Sequence, residues 1–536
     1  MYVHLRWRGA ALVAAAAAVV AALVSSPATA VPSEPQVPAP ILAPLQVSGT
    51  SVTISWTDQS TDEENFVVYR RSGNDGLFGS IRDVLTTTQG GTGAVYSIVD
   101  TIPAGTQQCY AVTTFISFGR AGEEFSAEQC TQAWPRNPTP AAGPGGFATL
   151  NQGGASNGLE PAGVVGSDGL AVFAFQSAPQ PGSPIDTGQV FISYCRDAGC
   201  TSSGFVWPDW ILSGPPAIAV GGNGFPVVAY IGKETCDVPG HGSADPECRE
   251  HVVLRLIVCE SANCVSRSRQ SIGLSWSRTV RGGVALTVGP DGFPLVAYLS
   301  RVPGSSSRAE VKVLHCLADD CVNHSRTSTV DTISFDAGTD LAMAMAPSGR
   351  AVLAYHDAGP YGDLKVATCL DAHCVASRKV TVDSTGISGL RPSIAVGRDG
   401  LPIIVHERRD APGDANGKVV VSHCVNAFCS ATTNTVLDTT GAVAAAPSVA
   451  IGADTFPVIA YSHSSGPSLR VARCENLACT ASTRSTVEAN GTTGAMNPTV
   501  VIGGDGRPMV GYFDEALKGL RVVDCGNALC RPPFTS

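Results

Sequence analysis

Apolar and polar positions alternate in short runs along most of this chain, and glycine, proline, asparagine or aspartate punctuates the runs. A period of two marks half-buried strands, and no window sustains a helical period. One stretch shows the grammar in full. Pro392-Ser393-Ile394-Ala395-Val396 leads through Asp399-Gly400 to Leu401-Pro402-Ile403-Ile404-Val405-His406, then to Val419-Val420-Val421-Ser422-His423-Cys424 and on to Val436-Leu437-Asp438. This predicts four short strands in about fifty residues.

The unit recurs. Aspartate-glycine between two β-rich runs signals a tight turn, because glycine accepts the positive φ that hairpin turns need. It stands at Asp168-Gly169, Asn223-Gly224, Asp291-Gly292, Asp399-Gly400 and Asp505-Gly506, with Ser348-Gly349 and Asp454-Thr455 as variants. After each third strand comes a C-x4-C pair: Cys195 and Cys200, Cys259 and Cys264, Cys316 and Cys321, Cys369 and Cys374, Cys424 and Cys429, Cys474 and Cys479, Cys525 and Cys530. First cysteines recur every 50 to 64 residues. Seven four-stranded units, none able to bury both faces alone, predict a seven-bladed β-propeller over residues 147–536. A linear solenoid would need shorter coils and polar end caps. The last copy ends without room for its fourth strand. Leu150 precedes Pro161 by eleven residues, the spacing by which Val436 precedes Pro447 and Val487 precedes Pro498. Phe147 to Asn151 is therefore expected to be the outer strand of the seventh blade, paired with the segment that follows Cys525, which hides the sheet edges.

The chain opens differently. Arg6 and Arg8 precede an uncharged run from Ala10 to Val24, and Ala28-Thr29-Ala30 follows. This reads as a secretory signal peptide over residues 1–30, with a run too short for a comfortable membrane span. A proline-rich lead covers residues 31–44, and a proline-rich linker covers residues 135–146. Between them, Ser51-Val52-Thr53-Ile54-Ser55-Trp56, Phe66-Val67-Val68-Tyr69-Arg70-Arg71 and Cys109-Tyr110-Ala111-Val112-Thr113-Thr114-Phe115 alternate as sandwich strands. Residues 45–134 resemble a fibronectin type III domain in Trp56, Tyr69 and the Ile102-Pro103-Ala104-Gly105-Thr106 approach to Tyr110, although Gln108 stands where that family places its corner tyrosine. The expected fold is thus all-β: a fibronectin type III-like sandwich, then a seven-bladed, four-stranded propeller with one disulfide hairpin per blade.

Charge and cysteine content narrow the function. Removing Arg6 and Arg8 takes the formal charge from −10 to −12 with no basic stripe, so nucleic acid is not an expected partner. Eighteen cysteines, an even number in an exported chain, read as disulfides rather than zinc ligands. Cys109 with Cys130 and Cys236 with Cys248 complete the set. No cofactor, no metal and no membrane span are expected; the chain is read as secreted and monomeric.

The face carrying the strand-two ends has variable loops, whereas the Asp-Gly and disulfide turns opposite are uniform. Ligands are usually met on variable loops over a rigid scaffold. The candidate ligand-binding residues are therefore Tyr355, Asp357, His406, Glu407, Tyr461, His463, Tyr512 and Asp514. Such carboxylates, imidazoles and phenols suit a polar ligand or acid–base work. The plainer reading of a repeated tyrosine is packing between blades with its hydroxyl satisfied. Trp207, Trp210 and Trp276 could stack on sugars or pack on outer strands.

Catalytic signatures are missing. There is no phosphate-binding glycine loop, and His406-Glu407-Arg408-Arg409-Asp410 lacks the second histidine of a zinc-protease helix. The repeat lacks the sialidase Asp-box and the Trp-Asp signature of WD40 blades, and resembles repeats of uncharacterised secreted bacterial proteins. The sequence therefore puts first a non-catalytic binding or scaffold protein whose propeller engages a polysaccharide or an extracellular protein. The alternatives are a carbohydrate-active enzyme, either a glycoside hydrolase or a polysaccharide lyase, and a purely structural surface protein.

Overall fold

A computed structural model describes residues 39–48, 51–61, 65–72, 79–85, 92–102, 108–115, 126, 129–130, 145–150, 157–178, 188–234, 251–274, 283–334, 340–359, 362–412, 414, 417–443, 446–463, 468–488 and 495–530. The described elements are all strands. No helix among the described residues is long and apolar enough to cross a membrane. Residues 1–30, Cys236, Cys248 and Trp276 lie outside the described residues, as does most of the segment 135–146.

Two antiparallel sheets form the N-terminal sandwich. In one, Ser51–Thr57 pairs with Ile41–Leu42, Gln46–Ser48 and Val95–Thr101. In the other, Asn65–Ser72 lies between Gly79–Leu85 and Gln108–Phe115, with Gln129–Cys130 at the edge. The alternation of Ser51–Thr57 sends Val52, Ile54 and Trp56 into a core shared with Phe66, Val68, Tyr96 and Tyr110. Tyr110 donates its hydroxyl to Asp100 at 2.7 Å. Cys109 is disulfide-bonded, and the backbone of Cys130 is its register partner.

Seven blades follow. Blade 1 comprises Asn157–Val165, Ala171–Ser177, Gly188–Cys195 and the start of Ser203–Val220, which continues without a break into blade 2 and fuses the two into one seven-stranded sheet. Blade 2 adds Pro226–Glu234, His251–Cys259 and Arg267–Leu274. Blade 3 is Ala285–Val288, Pro294–Arg301, Arg308–Cys316 and Ser325–Ser334; blade 4 is Leu341–Met345, Ala351–Asp357, Asp363–Cys369 and Ser377–Asp383. Blade 5 is Ile387–Val396, Pro402–Arg409, Gly417–Cys424 and Thr432–Val443, and blade 6 is Ser448–Ile451, Pro457–His463, Ser468–Cys474 and Ser482–Glu488. Blade 7 takes Ala495–Ile502, Pro508–Asp514 and Gly519–Asp524 from the end of the chain and Gly146–Thr149 from before blade 1. The closing strand pairs Phe147 with Val523 and Thr149 with Arg521. It therefore lies on the strand that precedes Cys525, not on the segment after it, because that segment is the disulfide turn itself.

Second strands are the most buried, reading as near-continuous apolar runs such as Pro457–His463, because neighbouring blades cover both faces. Phe173 wedges between blades 1 and 7, where a Cβ on Gly511 would lie 2.7 Å from its ring. First strands are stitched to each other: Val449 N–H donates to Ser393 Oγ at 3.2 Å and Val500 N–H to Ser448 Oγ at 3.1 Å.

The seven C-x4-C pairs are all bridged, with Cα separations of 4.4 to 4.9 Å. Each lies across the turn after a third strand. In blade 5, Asn426 Oδ1 accepts from the N–H groups of Phe428 and Ser430, so a side chain holds the turn that the disulfide closes.

Candidate functional site

The first strands of the blades begin around one central mouth, on the face opposite the Asp-Gly turns. It holds a cavity of about 250 Å³ to which each of the seven blades contributes. Much of the wall repeats as proline: Pro161, Pro216, Pro392, Pro447 and Pro498. The residue before each repeated proline varies, and there the chemistry gathers. Blade 1 supplies Glu160, blade 5 Arg391, blade 6 Ala446 and blade 7 Asn497, while blade 4 supplies Asp340 before Leu341.

The backbone is unusual at these positions. Glu160, Arg391, Ala446 and Asn497 have φ of 48°, 47°, 65° and 49°. Non-glycine residues rarely adopt the left-handed region, and such strain concentrates at functional sites. In blades 1, 5 and 7 the pairing register shifts across the same point. Such a bulge re-aims side chains out of the ladder.

Glu160 is half-buried, and Gln176 Nε2 donates to its Oε2 at 2.6 Å. Burial pushes its carboxyl pKa up and the charge of Asp340 pushes it further, against the opposite pull of Arg391 and the Gln176 hydrogen bond. Blades 1 and 4 stand on nearly opposite sides of a seven-membered ring. The mouth thus presents one carboxyl with raised proton affinity, a second carboxylate across from it and a guanidinium beside the latter. Among the described residues that line it there is no histidine, tyrosine, lysine or cysteine. No group of three or more histidine, cysteine, aspartate or glutamate side chains suited to a metal ion occurs among the described residues.

The eight residues singled out by sequence lie at or near the ends of second strands, within the ring. Tyr355 and Tyr461 are fully buried and donate their hydroxyls to Asp331 and Asp438, each at 2.8 Å. Asp357 accepts from Ser334 N–H at 2.9 Å and pairs with Lys365 Nζ at 2.5 Å. His406 is fully buried, and Glu407 beside it pairs with Arg409 at 2.7 Å. His463 and Tyr512 are buried. Asp514 accepts from the N–H groups of Ala516 and Leu517 and pairs with Arg521 at 3.2 Å. None of the eight lines the mouth cavity. Trp207 is exposed on the outer strand of blade 1.

Sequence reasoning passed over Glu160, Asp340, Arg391 and Asn497. The usable signal was the variable residue immediately before an otherwise repeated proline.

No protein-family model and no curated protein matches this chain. Solved structures resemble it. An ulvan lyase of polysaccharide lyase family PL25, bound to -[GlcA(1-4)Rha3S]-, is 8% identical over 70% of this chain and 94% of its own, with a TM-score of 0.44. The polysaccharide lyase Uly1 is 11% identical over 67% and 88%, with a TM-score of 0.42. A leech intramolecular trans-sialidase is 10% identical over 89% and 93%, with a TM-score of 0.39. These neighbours are enzymes of carbohydrate chemistry, and the leading expectation of a non-catalytic binding or scaffold protein is corrected accordingly. Absent catalytic motifs had suggested a non-catalytic scaffold. A carboxylate pair assembled from two distant blades leaves no linear motif to find.

Proposed function

We propose that this protein is an extracellular carbohydrate-active enzyme that hydrolyses a glycosidic bond at the central mouth. The observation that carries the reading is Glu160, a carboxyl whose proton affinity is raised by burial and by Asp340 in an open cavity. Glycoside hydrolysis needs two carboxyl groups flanking the bond, one retaining its proton as general acid and one ionised. Glu160 is assigned as the acid that protonates the leaving oxygen. Asp340, from across the ring, is assigned as the carboxylate that takes a proton from the attacking water. Arg391 and Asn497 are assigned to hold substrate hydroxyl or carboxylate groups.

Disulfides in every blade and the signal-like residues 1–30 support export. The N-terminal sandwich is read as a fibronectin type III-like spacer that holds the catalytic ring away from its anchor or substrate. Elimination by a lyase is the other chemistry in this class. The absence of tyrosine, histidine and lysine among the described lining residues favours hydrolysis, because the usual proton-abstracting side chains are not at the mouth.

The test is a polysaccharide panel read for new reducing ends and for the ultraviolet absorbance of unsaturated ends. Hydrolysis predicts the first signal without the second. Glu160→Gln and Asp340→Asn should each lower kcat by about 10²- to 10⁴-fold. Activity should fall as pH rises through the raised Glu160 pKa, because the acid form is required. Unsaturated products, or full activity in Glu160→Gln, would overturn the assignment.

A further inference from the structure

We propose that His356 and His406 are positioning residues that clamp the single peptide unit between Ser388 and Gly389 and so fix Arg391 at the mouth. The proposal rests on the reading of Arg391 as a substrate-binding group. His356 Nδ1 lies 2.7 Å from the Ser388 carbonyl oxygen, and the Gly389 N–H donates to His406 Nδ1 at 3.1 Å. Both contacts fall on the two ends of one amide.

A carbonyl can only accept and an N–H can only donate. The two rings must therefore hold opposite tautomers. His356 carries its proton on Nδ1. His406 Nδ1 also lies 3.3 Å from the Glu407 carbonyl oxygen, but the Gly389 N–H is nearer and Nε2 faces Ser422 Oγ at 3.3 Å and the Asp383 carboxylate at 3.7 Å, so His406 is assigned a bare Nδ1 and a proton on Nε2. Both rings are buried, so water offers neither a substitute partner.

Ser388 is also tied on its other side, its N–H donating to the Gly362 carbonyl at 3.0 Å and its hydroxyl to the Thr385 carbonyl at 2.7 Å, which leaves the amide between Ser388 and Gly389 to the two rings. The register of Ile387–Val396 against Pro402–Arg409 slips between Ile387 and Leu390 and again between Leu390 and Ser393. Across these slips the regular ladder is interrupted, and the two imidazoles supply partners in its place. Gly389 sits at φ +82°, where a Cβ would lie 2.7 Å from Leu364 Cα, so only glycine fits. Two residues on, Arg391 leaves the strand at φ +47° and enters the mouth. In blade 1 Gln176, at the position equivalent to His356, bonds the Glu160 carboxylate of its own blade directly.

The charged groups around His406 are Asp383 on the outer strand of blade 4, Arg408 on its own strand and His356 across the blade interface. Burial outweighs Asp383 and holds the His406 pKa down to about 4, so Nδ1 stays available to Gly389 near neutrality.

Long-range nitrogen–proton NMR of the whole substrate-free protein, labelled at histidine, reads the tautomers directly. The expected result is one ring protonated at Nδ1 and one at Nε2, assigned by His356→Gln and His406→Gln spectra; matching tautomers would overturn the clamp. On the polysaccharide cleaved, His406→Leu should raise KM about tenfold with kcat nearly unchanged, and should add nothing to Arg391→Ala. His406→Gln, whose Oε1 can accept from Gly389, should recover most of the loss. A KM effect that adds fully to that of Arg391→Ala would overturn the positioning role. An unchanged KM in Arg391→Ala would overturn the reading of the mouth and the role that rests on it, while the tautomer result would still decide whether the clamp exists.

Discussion

Tyr461, on the second strand of blade 6, donates its hydroxyl at 2.8 Å to Asp438, on the outer strand of blade 5. Asp438 is fully buried and also meets Arg470 at 2.7 Å and Arg484 at 3.0 Å. The relation repeats between Tyr355 of blade 4 and Asp331 of blade 3. Between blades 4 and 5 the partners are His406 and Asp383, and the shorter ring leaves 3.7 Å between them. Each latch ties one blade to its predecessor through an otherwise apolar seam.

Tyr461→Phe keeps the ring and removes the bond. A hydrogen bond to a charged, buried acceptor contributes about 1.5–3 kcal/mol, and the two arginines still serve Asp438, so the lower end is expected. Urea unfolding monitored by tryptophan fluorescence measures it. A midpoint equal to that of the wild type would mean that the arginines alone satisfy the carboxylate.

Asp524 supplies a pH dependence. It is buried at the end of the last full strand, and burial raises its pKa to about 6, aided by Asp505 and Asp197 and opposed by Arg507. The folded state therefore holds this proton more tightly than the unfolded chain. Its contribution to stability is complete below pH of about 4 and is lost as pH rises through about 6. Asp524→Asn should stabilise the protein at pH 7, by on the order of 2–3 kcal/mol, and leave it unchanged at pH 4. Melting temperatures across that range decide it, and a gain that grows toward acid would reverse the sign.

The disulfide turns give a third test. Cys424 and Cys429 are buried and close a loop of six residues. The chain-entropy model assigns such a loop about 2 kcal/mol. Because Asn426 still braces the turn, Cys424→Ala/Cys429→Ala should fold and lose no more than that amount. Denaturant midpoints under non-reducing conditions measure the difference. Outright failure to fold would show that the pairs act during folding rather than as staples on a formed blade.

Much of the architecture was legible because it repeats. The spacing of Cys424 and Cys429 marked a hairpin, Asp399-Gly400 marked a turn, and both formed as expected. The eleven-residue offset of Leu150 from Pro161 located the closing strand, although its partner is the strand before Cys525. The buried tyrosines followed the plainer reading, with the hydroxyls of Tyr355 and Tyr461 held by aspartates of the preceding blade. The mouth was not legible for the opposite reason. Glu160, Asp340 and Arg391 each occur once, in different repeats, and only ring closure brings them together. Their trace in the sequence is a departure from the repeat, which a search for likeness between copies passes over.

Closure itself can be broken at one side chain. Leu150 donates its N–H to the Leu520 carbonyl at 2.9 Å and is buried in a cluster with Phe173, Leu520 and Val522, so it joins the closing strand to blades 1 and 7 at once. Phe147, at the other end of the strand, lies under the Arg521 guanidinium at 4.3 Å. Leu150→Ala leaves a cavity at this seam and should cost about 2–5 kcal/mol. Because the strand Gly146–Thr149 is short, that loss should also free it part of the time and bare the edge of Gly519–Asp524. An exposed edge pairs with other chains, so light scattering should rise with protein concentration in the variant and not in the wild type. A variant that loses stability without associating would mean that the edge stays covered, and that the closing strand is held by its backbone ladder rather than by Leu150.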